Sequence, residues 1–275
     1  ENIFAALIVC LGTLIFKHLN QSFMKPVFLF FLALLSCNTA KTPTEDRLQV
    51  NIPTLEEETE YVWRTIIDTK FFEEHNYTVN LPDHPFIEEL KARSKVNQLS
   101  DQDYEDLKTL MREQVYKPSD YQAGYDKIMA QKGLINQMIQ TMDQVEKDWD
   151  FKSFAQYPIT LTLYGPGGSY DPNQGAVLIF TTVDGKFKLY DNPANTIIHE
   201  IWHIGTEASI MQALQVPHPV KERIIDLLVQ FHHKKVLPDY QLQGFGDVRM
   251  DAYLQNAGNV KALDAVVKKF LAENY

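Results

Sequence analysis

Residues 193–226 read PANTIIHEIWHIGTEASIMQALQVPHPVKERIID. After Asn192-Pro193 the apolar residues fall at helical spacing, which predicts one helix over about 194–210 and, past Pro217 and Pro219, a second over about 219–235. In the first helix, His199-Glu-Ile-Trp-His203 places two imidazoles at i and i+4, on one face. Both can direct a ring nitrogen at one ion about 2.0–2.1 Å away. Glu200 sits next to that face, placed to take a proton from a water activated by the ion without being a ligand itself. The flanks, Thr196-Ile-Ile198 and Ile201-Trp202, are apolar, so three polar groups on a buried helix would need partners.

A site of this kind needs a third protein ligand and leaves a further position for water. Glu207 lies on roughly the same side of the helix, but eight residues of rise, about 12 Å, carry it away from an ion at the first turn. The position ten after His199 is Ser209, which removes an extended three-histidine arrangement. Glu222 follows His203 after a proline-containing loop and falls in the first turn of the second helix, facing back. Asp226 is one turn further on the same face. It is placed to hold the outer ring nitrogen of one of the two histidines.

Working outward, residues 157–164 (YPITLTLY) alternate as a strand, 176–183 (AVLIFTTV) form a second, and Asp184-Gly185 turns into a third over Lys186–Tyr190. Gly165-Pro-Gly-Gly168 is a loop that lacks the ending of a phosphate-binding turn. Upstream, Ser100-Asp-Gln-Asp103 opens a helix that Pro118 ends, and a Met-rich apolar stripe from Tyr125 to Val145 predicts a core helix. Weaker helices are expected near 247–257 and 260–272. Helices, a small sheet, then helices give an α+β class: mainly helical, with a small antiparallel or mixed sheet preceding the site helix. The domain is expected over 61–275, with 61–150 a helical part and 151–275 the sheet and site helices. Residues 38–60 are polar and acidic and read as a tether, the alternative being that Val50 and Ile52 add an edge strand.

The chain has 275 residues, 45% of them hydrophobic, and a net charge of −10, which argues against disorder and against a nucleic-acid partner. Both cysteines, Cys10 and Cys37, lie in the apolar N-terminal region, so a disulfide framework, a thiolate nucleophile and a Cys-ligated metal are excluded from the folded part. Residues 3–16 are apolar but short for a membrane span, which needs about 20 residues. From Met24-Lys25 a basic start, an apolar run over 26–35 and Leu34-Leu35-Ser36-Cys37 follow in order.

That last pattern resembles a bacterial lipoprotein signal. The resemblance implies cleavage before Cys37, lipidation of Cys37 and attachment of the folded part to a membrane of the cell envelope, with residues 1–23 as upstream sequence. The pair His199-Glu-Ile-Trp-His203 and Glu222-Arg-Ile-Ile-Asp226 resembles the gluzincins, the thermolysin-like zinc metallopeptidases, over about residues 157–235. That resemblance implies a zincin-like fold and one Zn2+ held by His199, His203 and Glu222. It implies Asp226 behind a ligand, Glu200 as general base, and a peptide or protein substrate lying along an edge strand, for which 176–183 is the candidate. Tyr240, Arg249 and Tyr253 are candidates for steadying an oxyanion, with His232 a weaker one and the His232-His233 pair otherwise at the surface. The competing class is a non-catalytic, zinc-stabilised peptide- or protein-binding lipoprotein with the same ligands. A third reading is a factor that processes one envelope protein or itself.

Overall fold

Four short strands carry the site helix in the computed structural model, which describes residues 45–74, 76–188 and 191–275. They are β1 (Leu48–Asn51), β2 (Tyr157–Thr162), β3 (Ser169–Asp171) and β4 (Ala176–Phe180). Their order across the sheet is β1-β2-β4-β3. β1 and β4 both run parallel to β2, and β3 is antiparallel to β4. The sheet is therefore mixed and the class is α+β, mainly helical. The apolar segments at 3–16 and 26–35 and the Cys37 signal lie outside the described residues. Among the described residues no helix is long and apolar enough to cross a membrane.

Between β1 and β2 come α1 (Leu55–Ile67), α2 (Thr69–Glu74), α3 (Pro85–Ser94), α4 (Asp101–Leu110) and the long α5 (Gln122–Gln144). After the sheet follow α6 (Pro193–Thr206), a π-helical turn (Glu207–Gln212), α7 (His218–His233), a 3-10 turn (Val248–Ala252), α8 (Ala257–Lys261) and α9 (Leu263–Asn274). Asn192 caps α6 by accepting from the Ala194 N–H, and Pro193 stands at its first position, where a missing N–H costs nothing. Ser100 and Asp103 form the expected capping box on α4.

The sequence expectation needs correcting in five places. The tether at 38–60 is, from Leu48 onward, part of the fold: Val50 pairs with Ile159 in parallel register, and Thr54 opens α1 with a capping box to Glu57. Its polar composition misleads because the polar groups are partnered. Arg47, 7% exposed, bonds Asp143 and the Phe154 carbonyl. The acidic Glu56-Glu57-Glu58 run is the first turn of α1, where the helix dipole favours carboxylates. The division at residue 150 also moves. Val62, Ile66, Ile87, Leu90, Leu107, Leu110 and Met111 form one small core, whereas α5, through Ile128, Ile135, Met138, Ile139 and Met142, belongs to the main core under the sheet.

The third strand over Lys186–Tyr190 does not form: a single bridge joins Thr181 to Phe187. The third helix-side strand is instead β3, a three-residue segment. In consequence β4 is an interior strand and 176–183 is not a cleft edge, since β3 covers that side. Finally, the 247–257 helix is only the 3-10 turn at Val248–Ala252.

The two cores are joined by a buried carboxylate. Glu58 of α1 is 1% exposed, and its Oε1 accepts from the Tyr121 hydroxyl (2.8 Å), the Thr162 hydroxyl (3.1 Å) and the Leu163 N–H (3.0 Å). Burial raises its pKa, with those donors opposing. The contact pins the end of β2 where the Gly165–Gly168 turn begins. That turn is also bridged to Asn80 in both directions, at 3.0 and 2.8 Å.

On α6 the close approach of Phe151 requires Gly205. A Cβ there would fall 1.9 Å from Phe151 Cε2, and that ring is wedged edge-on against Trp202 at 5.3 Å. Gly205→Ala is expected to lower stability by about 1–3 kcal/mol through overpacking, read as a shift in the urea midpoint without a change in slope. An unchanged midpoint would show that Phe151 yields freely.

Candidate metal centre

The site helix α6 enters the main core, which buries its polar face: His199 is 6% exposed, Glu200 8% and His203 1%. α7 packs against it and brings Glu222, 8% exposed, and Asp226, fully buried. Three side chains converge. His199 Nε2 and His203 Nε2 are 3.0 Å apart, Glu222 Oε2 is 3.3 Å from the first and Glu222 Oε1 is 3.4 Å from the second. Donors of a tetrahedral ion bound at about 2.0–2.1 Å stand roughly 3.3–3.4 Å from one another. His199, His203 and Glu222 form a buried group that can hold a metal ion.

The donor chemistry fits a cation. Tyr240 accepts from His199 Nδ1 at 2.7 Å and donates its own proton to Asp226 Oδ1 at 2.6 Å. With the hydrogen on Nδ1, His199 Nε2 presents a lone pair to the cluster. Two such nitrogens and a carboxylate crowded together repel unless a cation or a proton lies among them. Burial alone disfavours the charged form of His199, but Asp226 and Glu222 outweigh it and lift its pKa to about 10. Burial lowers His203 to about 4 despite the Glu222 carboxylate. Burial works against the Glu222 charge, yet the two histidines hold its pKa well below the carboxylate range.

Glu200 is not one of the converging ligands. Burial lifts its pKa to about 7, the His199 charge opposing and Glu222 adding. Its carboxylate lies over the Gly165–Gly168 turn: a Cβ on Gly168 would stand 2.4 Å from Glu200 Oε1. The glycine that reads in the sequence as a plain loop is the space the Glu200 side chain fills.

Asp226 reaches His199 as expected, at 3.4 Å from Nδ1, but the shorter route runs through Tyr240. Tyr240 thus stands behind a ligand. Of the other oxyanion candidates, Arg249 pairs with Asp247 and Tyr253 donates to Glu273, both away from the cluster. The His232-His233 pair is not wholly at the surface: both rings flank Trp202, centroids at 5.4 and 6.2 Å, His232 half-buried and His233 1% exposed. Glu207, set aside on helical rise, accepts from Tyr170 at 2.7 Å instead.

Several residues at the site carried no sequence signal. Gln243 donates its backbone N–H to Asp226 Oδ2 at 2.6 Å and sets its amide 3.2 Å from His199 Nε2. It sits in an irregular segment, so no periodicity marks it. His218 is the first residue of α7, one turn before Glu222, and its Nδ1 is 3.6 Å from Glu222 Oε1. Tyr170 of β3 stacks on His203.

The metal-free protein titrated with Zn2+ is expected to take up one equivalent. Substituting His199, His203 or Glu222 by Ala is expected to weaken binding by at least about 100-fold, measured by competition with a chromophoric chelator. Uptake that all three substitutions leave unaltered would place the ion elsewhere. Compared with known proteins, the chain matches no family model, no curated protein and no solved structure.

Proposed function

We propose that the protein is a zinc-dependent metallopeptidase, anchored in the bacterial cell envelope through Cys37, that hydrolyses peptide bonds with Glu200 as general base. The observation that carries this reading is the position of Glu200. It follows the ligand His199 in the chain and is not one of the converging ligands, and burial favours its protonated form, which suits a group that must both take and return a proton. A metal held only for structure calls for no such neighbour.

Bound by His199, His203 and Glu222, a zinc ion would supply Lewis acidity to a water and to a substrate carbonyl. The chain's own residues do the rest. Glu200 accepts the proton of the attacking water and passes it to the departing amine, so that water and one amide bond become a carboxylic acid and an amine. Tyr240 and Asp226 fix His199 in one tautomer and one orientation. β3 lies at the edge of the sheet and packs on α6, so it takes the role of the strand along which an extended substrate pairs.

One observation favours the second reading, a non-catalytic zinc-stabilised peptide- or protein-binding lipoprotein. The ligands are almost closed to solvent, as in structural metal sites. Two substitutions separate the readings. Glu200→Gln is expected to keep one equivalent of zinc and to lower kcat by roughly 10²–10⁴-fold on a mixed peptide library. Gly168→Ala pushes aside the carboxylate of Glu200 and crowds the Thr196 methyl at 2.8 Å, so cleavage is expected to fall at nearly unchanged zinc content, with a lowered thermal midpoint recording the Thr196 contact. A wild-type protein that loads zinc and cuts nothing in a broad library contradicts the hydrolase reading in favour of the binding one.

A further inference from the structure

The two histidines of the cluster are supported in different ways. His199 has Tyr240 and Asp226 on its outer nitrogen. His203 has nothing there: its Nδ1 is buried without a hydrogen-bond partner. A ligating imidazole ordinarily has its outer N–H tied to a carboxylate, a carbonyl or a water, and that bond sets the ring plane. The plane of His203 must be set some other way.

What touches the ring is Tyr170. The two rings are parallel to within 6°, with centroids 4.8 Å apart. Tyr170 is itself fixed from three elements. Its backbone lies in β3, opposite Val177 of β4. Its hydroxyl donates to Glu207 at 2.7 Å, in the π-helical turn that ends α6. The same oxygen accepts from Lys221 of α7, the residue before the ligand Glu222, at 2.9 Å. Gly168, which makes room for Glu200, is two residues earlier in the same segment. One short segment therefore bears on both the base and a ligand.

We propose that Tyr170 is the positioning residue for His203, holding the imidazole plane by ring stacking where a hydrogen bond from Nδ1 is missing. The proposal rests on the metal-centre reading. Glu207 and Lys221 both bond the tyrosine hydroxyl. In Tyr170→Phe they remain close enough to pair directly, at 3.4 Å. The flat ring, rather than its hydroxyl, is what His203 needs.

The test compares Tyr170→Phe with Tyr170→Leu, using Zn2+ and Co2+ as probes and a chromophoric chelator as competitor. Phe is expected to keep the affinity within about fivefold and to preserve the Co2+ visible spectrum. Leu is expected to weaken binding by about 10–100-fold, the range seen when outer supports of a ligand are removed. The metal-free forms of the two variants should unfold at similar temperatures, which a general packing defect would not allow. Equal affinity in Leu and wild type overturns the proposal, as does a loss in Phe as large as in Leu. A wild-type protein that binds neither ion fails the metal centre itself, and this proposal with it. Should the leucine variant not fold, the zinc-loaded wild-type protein still decides. Stacking requires upfield-shifted His203 ring protons in its NMR spectrum, and unshifted ones overturn the assignment.

Discussion

Two imidazole nitrogens and a carboxylate, drawn within 3.4 Å of each other in a nearly dry interior, are the constraint around which the rest is arranged. Each group is costly to bury alone, on the order of 1–3 kcal/mol when left without a partner. Together they are tolerable only with a proton or a cation among them. A single proton on His199 satisfies part of the cluster, and a divalent ion satisfies all of it. The packing of α6 on α7 therefore serves a chemical purpose. It brings a His pair one helical turn apart against a carboxylate from the neighbouring helix, and the apolar neighbours of these ligands in the two helices, Ile198, Ile201, Trp202, Ile224 and Ile225, are fully buried.

The surrounding elements each fix one part of that centre. β2 ends at Thr162 and Leu163, held by the buried Glu58 of α1, and this sets where the glycine turn begins. The turn leaves the space that Glu200 fills, and β3 follows it onto His203. The irregular segment after α7 returns Tyr240 and Gln243 to Asp226. The helical flank at 55–115 reaches the site through the Glu58 carboxylate, the bridge at Asn80 and the Tyr77 hydroxyl, 3.1 Å from His218 Nε2, although its own core is separate.

The metal cluster was legible in the sequence because its geometry is local. His199 and His203 share a helix face by periodicity alone, and Glu222 and Asp226 share another, so only the meeting of two consecutive helices had to be supplied. Strand order was not legible. β4 lies in the segment read as the cleft edge, 176–183, yet it is interior, and nothing in Ser169-Tyr-Asp171 announces a strand that would cover it. Tyr170, Gln243 and Gly168 act through contacts 32 to 44 residues distant in the chain, to His203, His199 and Glu200 respectively. Contacts across such distances leave no local period. The tether misled for the opposite reason: composition averages over a segment, whereas Leu48 and Val50 enter the sheet one residue at a time.

The central claim is that His199, His203 and Glu222 meet at one cation. X-ray absorption at the zinc edge of the loaded protein measures this directly. The account predicts a first shell of nitrogen and oxygen at about 2.0–2.2 Å, with the multiple scattering of two imidazoles. A shell of oxygen alone, or one that keeps both imidazoles when His199 and His203 are replaced, would contradict it.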